Sequence, residues 1–137
     1  MANSIDFQIT EEGHRNAIVK LTGYLDTSNV NEVPAIALNQ FNNNDPQLTL
    51  VGFRLDFIEW SISTGIEANL AWHSANPQQI HMLAGRGKIS STAYGGFIPD
   101  RKRAGYTGAI DLNTVGFVPG SIANFSIVME LIKLYTN

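Results

Sequence analysis

Cysteine is absent from the sequence, and this absence removes three kinds of chemistry at once. Without thiols the chain can form no disulfide framework, no thiolate zinc site and no cysteine nucleophile. Metal ligands could come only from carboxylates and from the histidines His14, His73 and His81.

Long hydrophobic runs are also absent. The longest apolar-rich segment, 125–135, contains Ser126, Glu130 and Lys133 and is much shorter than the roughly 20 residues of a spanning helix. The first six residues have neither the basic lead nor the apolar stretch of a secretory signal. We therefore expect no membrane partner, and a protein that is made and kept soluble.

Charge is scarce as well: 15% of the 137 residues are charged and the net charge is -3. A protein that coats nucleic acid usually needs a strong positive excess, so we expect no nucleic-acid partner. The hydrophobic content of 44% is ample for a packed core and argues against disorder. The length predicts one domain that folds by itself.

Alternation of apolar and polar residues, interrupted by Asn, Gly, Ser and Thr, indicates short strands and an all-β protein. In 5–10 and 16–25 every second residue is apolar apart from Gly23, and Glu12-Gly13-His14 provides a turn between the two segments. We expect these two segments to form a hairpin.

The remaining strands follow the same pattern with one irregularity. In 48–62 the apolar set that is expected to face inward includes Phe57 and then changes parity to Ile58, which indicates a β-bulge near Phe57 or a strand buried on both faces. The segment 26–44 is expected to be a long connection with one helical turn, and 107–112 and 122–134 to be strands. About eight strands predict an antiparallel β-sandwich of jelly-roll type, a single domain spanning residues 1–137.

A second hairpin is expected from 65–73 and 79–84, because its register gives two apolar cross-strand pairs, Trp72–Ile80 and Leu70–Met82. The same register places His73 and His81 on one outward face, where a metal ion is conceivable. A tight site needs three or four converging ligands, so we expect neither a metal nor a cofactor.

Catalytic motifs are weak. No serine lies in a glycine-flanked nucleophile elbow. Gly85-Arg86-Gly87 lacks the third glycine and the following helix of a dinucleotide fingerprint, and is interpreted as a turn or bulge between strands. We expect no enzymatic activity and no catalytic residues.

The segment 90–106 is different, because it is long, lacks sustained alternation and contains Gly95-Gly96 and Arg101-Lys102-Arg103. Long irregular loops in compact domains are usually functional, and tyrosine and arginine are enriched at the centres of protein interfaces. The predicted interface consists of Tyr94, Phe97, Arg101, Lys102, Arg103 and Tyr106.

Alternatives remain open for this segment. The cations could simply solvate a loop, and the aromatic side chains could stack on sugar rings or on single-stranded bases. Phe97 and Ile98 could instead close the end of the core. The acids concentrate in residues 1–60, and this uneven charge suits docking on an acidic protein surface or on a second copy of the chain.

Several phrases of the sequence resemble a family of small tailed-bacteriophage proteins, the capsid cement or decoration proteins of podovirus-like phages. These phrases are Ile5-Asp6-Phe7-Gln8-Ile9-Thr10 with Gly13-His14-Arg15, Leu83-Ala84-Gly85-Arg86-Gly87-Lys88, Tyr94-Gly95-Gly96-Phe97, and Thr107-Gly108-Ala109-Ile110-Asp111-Leu112 with Gly116-Phe117. The resemblance covers residues 5–135, and the sequence departs from it at 39–47 and 98–103.

The resemblance implies a jelly-roll domain on the outside of a phage head, made in the cytoplasm of the bacterial host. Its partners would be the major capsid protein and other copies of itself. Each copy would bridge capsomers and stabilise the expanded shell, because it binds that state and not the separated subunits. The alternative is a carbohydrate- or receptor-binding module of a phage fibre, with Trp60, Trp72 or Tyr94 as a stacking platform.

We predict that the purified protein is a symmetric dimer or trimer, because strand edges and the aromatic-rich loop leave surface that a lone small sandwich covers poorly. Light scattering at micromolar concentration measures this mass directly. A monomer mass at that concentration would contradict the prediction.

Overall fold

The computed structural model describes residues 3–30, 33–42 and 47–136. These residues form nine strands and two short 3-10 turns, Leu38–Gln40 and Thr92–Tyr94. The strands are β1 Ser4–Glu12, β2 Asn16–Leu25, β3 Val33–Ile36, β4 Thr49–Ile62, β5 Glu67–Trp72, β6 Gln78–Leu83, β7 Arg86–Ser90, β8 Ile110–Val115 and β9 Ala123–Thr136. Within these ranges there is no helix long and apolar enough to cross a membrane.

The strands form two antiparallel sheets that face each other. One has five strands in the order β1-β2-β9-β4-β7, and the other has four in the order β3-β8-β5-β6. Without the edge strand β1, the chain runs through two four-stranded sheets, β2-β9-β4-β7 and β3-β8-β5-β6, and all its connections cross between them except the β5–β6 hairpin. This order is that of a jelly roll, so the predicted fold class is confirmed.

The antiparallel order also decides which connections lie together. The β1–β2, β3–β4, β5–β6 and β7–β8 connections and the end of β9 lie at one end of the sandwich. The other four connections lie at the opposite end. The predicted interface belongs to the β7–β8 connection, residues 91–109, and we call its end of the molecule the basic end.

The core lies between the two sheets and is built from the inward residues of both. Phe53 and Phe125 are its largest fully buried side chains. Gly23 of β2 lies directly beneath the ring of Phe125, where a Cβ atom would collide with it. The glycine therefore lets the aromatic ring pack flat against the neighbouring strand.

The hairpin of β1 and β2 is confirmed, with Phe7 opposite Leu21. The change of parity in β4 is also confirmed, since the pairing with β9 shifts between Leu55 and Phe57. Phe57 itself was expected to face inward, and this is wrong. The extra residue, Asp56, turns Phe57 to the outer face, where it lies opposite Glu130.

The predicted register of the second hairpin is wrong. Leu70 lies opposite His81, Asn69 lies opposite Met82, and the pairing shifts again between Leu70 and Ala71. Directly opposite residues share a face of a sheet, so His81 faces inward with Leu70. Met82 faces outward and is 58% exposed.

The assignment of strands differs from expectation in three places. The long connection after β2 contains the expected helical turn, and also the strand β3. The glycines at 85 and 87 flank the start of a strand, β7, which pairs with β4. The strand expected at 107–112 begins later, at Ile110, because Gly108 has a positive φ of 86° that interrupts an extended chain.

A buried ion pair joins β1, β9 and the segment after the first 3-10 turn. Lys133 is buried, and its Nζ donates to Glu12 Oε2 at 2.7 Å and to the carbonyl oxygen of Asn42 at 2.9 Å. The backbone N–H of Asn42 also donates to Glu12 Oε2, at 2.6 Å. Burial alone would raise the pKa of Glu12, but these donors outweigh it and hold the pKa below its usual value.

We predict that Lys133→Met lowers the free energy of unfolding by about 3 kcal/mol at pH 7, because it leaves the Glu12 carboxylate desolvated without its cation. In the wild type the depressed pKa of Glu12 contributes stability above the ordinary glutamate pKa, and this is lost as the pH falls through the folded-state pKa. The penalty of Lys133→Met should therefore shrink toward acid pH.

Urea denaturation between pH 3.5 and 7 measures both effects. Lys88→Met, at an exposed position of β7, is the matched control and should change stability by no more than about 0.5 kcal/mol. Equal stability of both variants at pH 7 would contradict the role of the buried pair.

Candidate protein interface

The β7–β8 connection covers the edge of β4 that β7 leaves open. β7 pairs with β4 only over 57–61, and the next residue, Ser91, donates its N–H to the carbonyl oxygen of Asp56 and its hydroxyl to that of Leu55. Phe97 then exchanges two backbone hydrogen bonds of 2.9 Å with Leu55. An open strand edge is a site of unwanted pairing, and here the connection occupies it.

An ion pair lies beneath the same segment. Arg54 Nε donates to Asp56 Oδ1 at 2.7 Å and Arg54 Nη2 to Oδ2 at 3.0 Å. Gly96 crosses over it with a φ of 83°, and a Cβ atom there would lie 2.6 Å from both Arg54 Cγ and Asp56 Oδ1. Only glycine fits this position without strain, which accounts for the second residue of the Gly95-Gly96 pair.

Asp100 shapes the turn that carries the cations, residues Arg101, Lys102 and Arg103, called the basic turn below. Asp100 Oδ1 accepts the backbone N–H of Lys102 at 3.1 Å, and its carbonyl oxygen accepts that of Arg103 at 3.2 Å. The N–H of Asp100 donates to Gln78 Oε1 at 3.2 Å. The basic turn therefore has a defined backbone and is fastened to the start of β6.

Tyr106 fastens the other side of the basic turn to β4. Its hydroxyl donates to the carbonyl oxygen of Val51 at 2.8 Å, and the neighbouring Gly52 leaves room for it, because a Cβ atom there would collide with the hydroxyl. Burial raises the pKa of Tyr106, and the charge of Arg101 acts in the opposite direction. Arg101 therefore lies within electrostatic reach of this hydroxyl.

A third attachment joins the basic turn to the β5–β6 connection. The backbone N–H of Ala75 donates to the carbonyl oxygen of Ala104 at 2.8 Å. Gly105 packs so closely that a Cβ atom would lie 2.5 Å from the nitrogen of Ala75. Three elements, β4, β6 and the β5–β6 connection, thus hold the basic turn in place.

Two cations of the basic turn, Arg101 and Lys102, line a depression of about 410 Å³ together with Tyr106, Val51 and Thr136. Arg101 and Lys102 are exposed, while Arg103 is partly buried. None of the five lining residues is acidic. The arrangement can present two positive charges beside a small apolar wall.

The predicted interface residues thus separate into two groups. Arg101, Lys102 and Arg103 are at the surface, whereas Phe97 and Tyr106 hold the connection on the sheet. Phe97 stacks on His81 with ring centroids 6.0 Å apart, and Ile98 beside it is exposed. The side chain of Tyr94 lies outside the described part of the structure.

The two histidines considered as metal ligands are apart. His81 lies on the inner face between Phe97 and Trp60, with its ring centroid 5.7 Å from that of Trp60. His73 Nδ1 lies 2.7 Å from Asp111 Oδ2. In the ranges described, no group of three His, Asp or Glu residues could hold a metal ion.

Two of the acidic residues in 1–60 make described ion pairs. Glu12 pairs with Lys133, and Asp56 pairs with Arg54. Asp45 and Glu32 lie outside the described residues. Asp6, Glu11 and Glu59 are exposed, and, like the cations of the basic turn, they make none of the described ion pairs.

Comparison with models of known protein families, with curated proteins and with solved structures found no match to this chain.

We predict that Tyr106→Phe loosens the basic turn without unfolding the sandwich. Losing the bond to the Val51 carbonyl oxygen should cost about 1 kcal/mol and increase hydrogen exchange at the N–H of Tyr106, which donates to Arg103. Tyr24→Phe, at an exposed position of β2, serves as control. Unchanged exchange in residues 100–106 would show that the hydroxyl does not fasten the turn.

Proposed function

We propose that this chain is a structural virion protein, a capsid cement or decoration protein that binds the outside of a tailed-phage head. Its partner would be the major capsid protein, and it would act by binding rather than by catalysis. Bridges between neighbouring capsomers stabilise the expanded shell, because the protein binds the assembled state and not the separated subunits.

The rigidly held basic turn is the observation that carries this proposal. A surface that docks on a large assembly gains from charges that are fixed before contact, because ordering a loop on binding costs free energy. Arg101 and Lys102 are exposed on a turn that three neighbouring elements hold. Exposed cations also speed up encounter with an acidic partner.

The resemblance in sequence and the jelly-roll order of the strands add to the proposal. Viral capsid and lectin domains both use this architecture, and a fold alone does not specify a function. The proposal therefore depends on the basic end. The fold supports it only by providing a rigid body on which the basic end is held.

The alternative, a carbohydrate- or receptor-binding module, has less support from the tryptophans. Trp72 is buried at 3% exposure. Trp60 is largely covered, its Nε1 donates to the carbonyl oxygen of Ala84 at 3.0 Å, and its ring lies against Gly87 and His81. Stacking on a sugar needs one face of the indole ring to be open to solvent. Neither Trp60 nor Trp72 has a fully open ring face.

We predict that the double variant Arg101→Glu and Lys102→Glu binds capsid shells at least about tenfold more weakly than the wild type, because reversed charges repel an acidic partner. The measurement is co-sedimentation with expanded shells that lack the protein, assembled from the major capsid protein of the same virus. Wild-type binding should weaken as added salt shortens the screening length below about 8 Å.

The matched control reverses two exposed cations of β7, Arg86→Glu and Lys88→Glu, with the same change in net charge. This control should bind shells like the wild type. Equal loss of binding in both double variants would make the effect one of overall charge, and no binding of wild-type protein to shells at any salt concentration would overturn the proposed function.

A further inference from the structure

We propose that the depression beside the basic turn is a carboxylate-recognition site that takes an acidic, partly apolar peptide segment of a partner protein. This inference deepens the proposed function, on which it rests for the identity of that partner. The site consists of Arg101 and Lys102 as cations, with Val51 and Tyr106 as the apolar wall.

Within the described ranges, no acidic side chain pairs with the cations of the site. Arg101 and Lys102 line the same depression, and none of the described residues that line it with them is acidic. The nearest carboxylate in sequence, Asp100, accepts the backbone N–H of Lys102 and so shapes the turn. A carboxylate from outside would meet an ammonium and a guanidinium, and the guanidinium can bind it through two parallel hydrogen bonds.

The apolar wall gives the site a preference beyond charge. Val51 is half-buried at the start of β4, and the Tyr106 ring is fixed beside it by the hydroxyl bond to the Val51 carbonyl oxygen. An aliphatic side chain next to the carboxylate would cover this wall and remove apolar surface from water. The site therefore fits a peptide in which acidic and apolar residues occur together.

The size and chemistry of the depression favour a peptide over a nucleic acid. A volume of about 410 Å³ lies within the range of small ligand pockets. Binding of single-stranded nucleic acid relies on a long basic groove and on open aromatic faces for stacking. The ring of Tyr106 is instead held at the sheet by its hydroxyl bond to the Val51 carbonyl oxygen.

The site is also formed in advance. The turn is fastened through Gln78, Ala75 and Val51 on three different elements. The partner segment would therefore bear most of the ordering cost, and a short peptide carrying the right groups should bind without the rest of the capsid.

The test uses the full chain and three probes: a hexapeptide of alternating glutamate and leucine, the same peptide with glutamine in place of glutamate, and a six-nucleotide oligothymidylate. Backbone amide NMR shifts locate the site, and their titration gives the affinity. The variants are Arg101→Glu with Lys102→Glu, and the β7 control Arg86→Glu with Lys88→Glu.

We expect the glutamate peptide to shift the amide signals of 101–106 and the glutamine peptide to leave them unchanged. The Arg101/Lys102 variant should bind at least about tenfold more weakly, and the β7 control within about twofold of the wild type. Equal binding of the two peptides, equal loss in both variants, tighter binding of the oligonucleotide, or no shift with millimolar glutamate peptide would overturn the inference.

The failures of the two proposals are distinguishable. Binding to capsid shells without binding to the glutamate peptide overturns the carboxylate site and leaves the decoration function in place. Binding to the peptide at 101–106 without binding to shells overturns the decoration function and leaves the carboxylate site.

Discussion

The structure depends on how the two edges of β4 are hydrogen-bonded. One edge pairs with β9 along nearly its whole length, and this long pair forms the centre of the five-stranded sheet. The other edge pairs with β7 over only five of its fourteen residues. Buried backbone groups without partners cost free energy, so the chain after β7 must return to this edge, and it does so through Ser91, Phe97 and the hydroxyl of Tyr106. The position of the basic turn follows from this requirement.

The parts of the fold that were predictable are those that local alternation specifies. The β1–β2 hairpin and the bulge in β4 can both be recognised from the alternation of apolar and polar residues, which is regular in the hairpin and changes parity at the bulge. The register of β5 and β6 was not predictable in this way, because the alternation favours the apolar pairs Trp72–Ile80 and Leu70–Met82, whereas the observed register places Gln78 opposite Trp72 and His81 opposite Leu70. The register shift between Leu70 and Ala71 that produces the observed pairing cannot be recognised from the order of apolar and polar residues.

The candidate site was predictable only in its outline. Arg101, Lys102 and Arg103 stand out in the sequence as a charged run, and they are at the surface. The roles of Phe97 and Tyr106 depend on partners that are far away in the chain: the Val51 carbonyl that Tyr106 binds is 55 residues distant. The same holds for Lys133. A lysine is normally expected at the surface, and its burial is explained only by its partner Glu12, which is 121 residues away in the chain.

The fourteen-residue length of β9 has a consequence for how the molecule would stand on a surface, since at about 3.4 Å per residue it spans about 45 Å. With the basic end seated on a partner, the β8–β9 turn would project at the top of a column of that height. Val118 and Ile122 are exposed there, and nothing lies close to the position of a Cβ at Gly120. A foreign peptide inserted at this glycine would therefore be displayed far from the seated end.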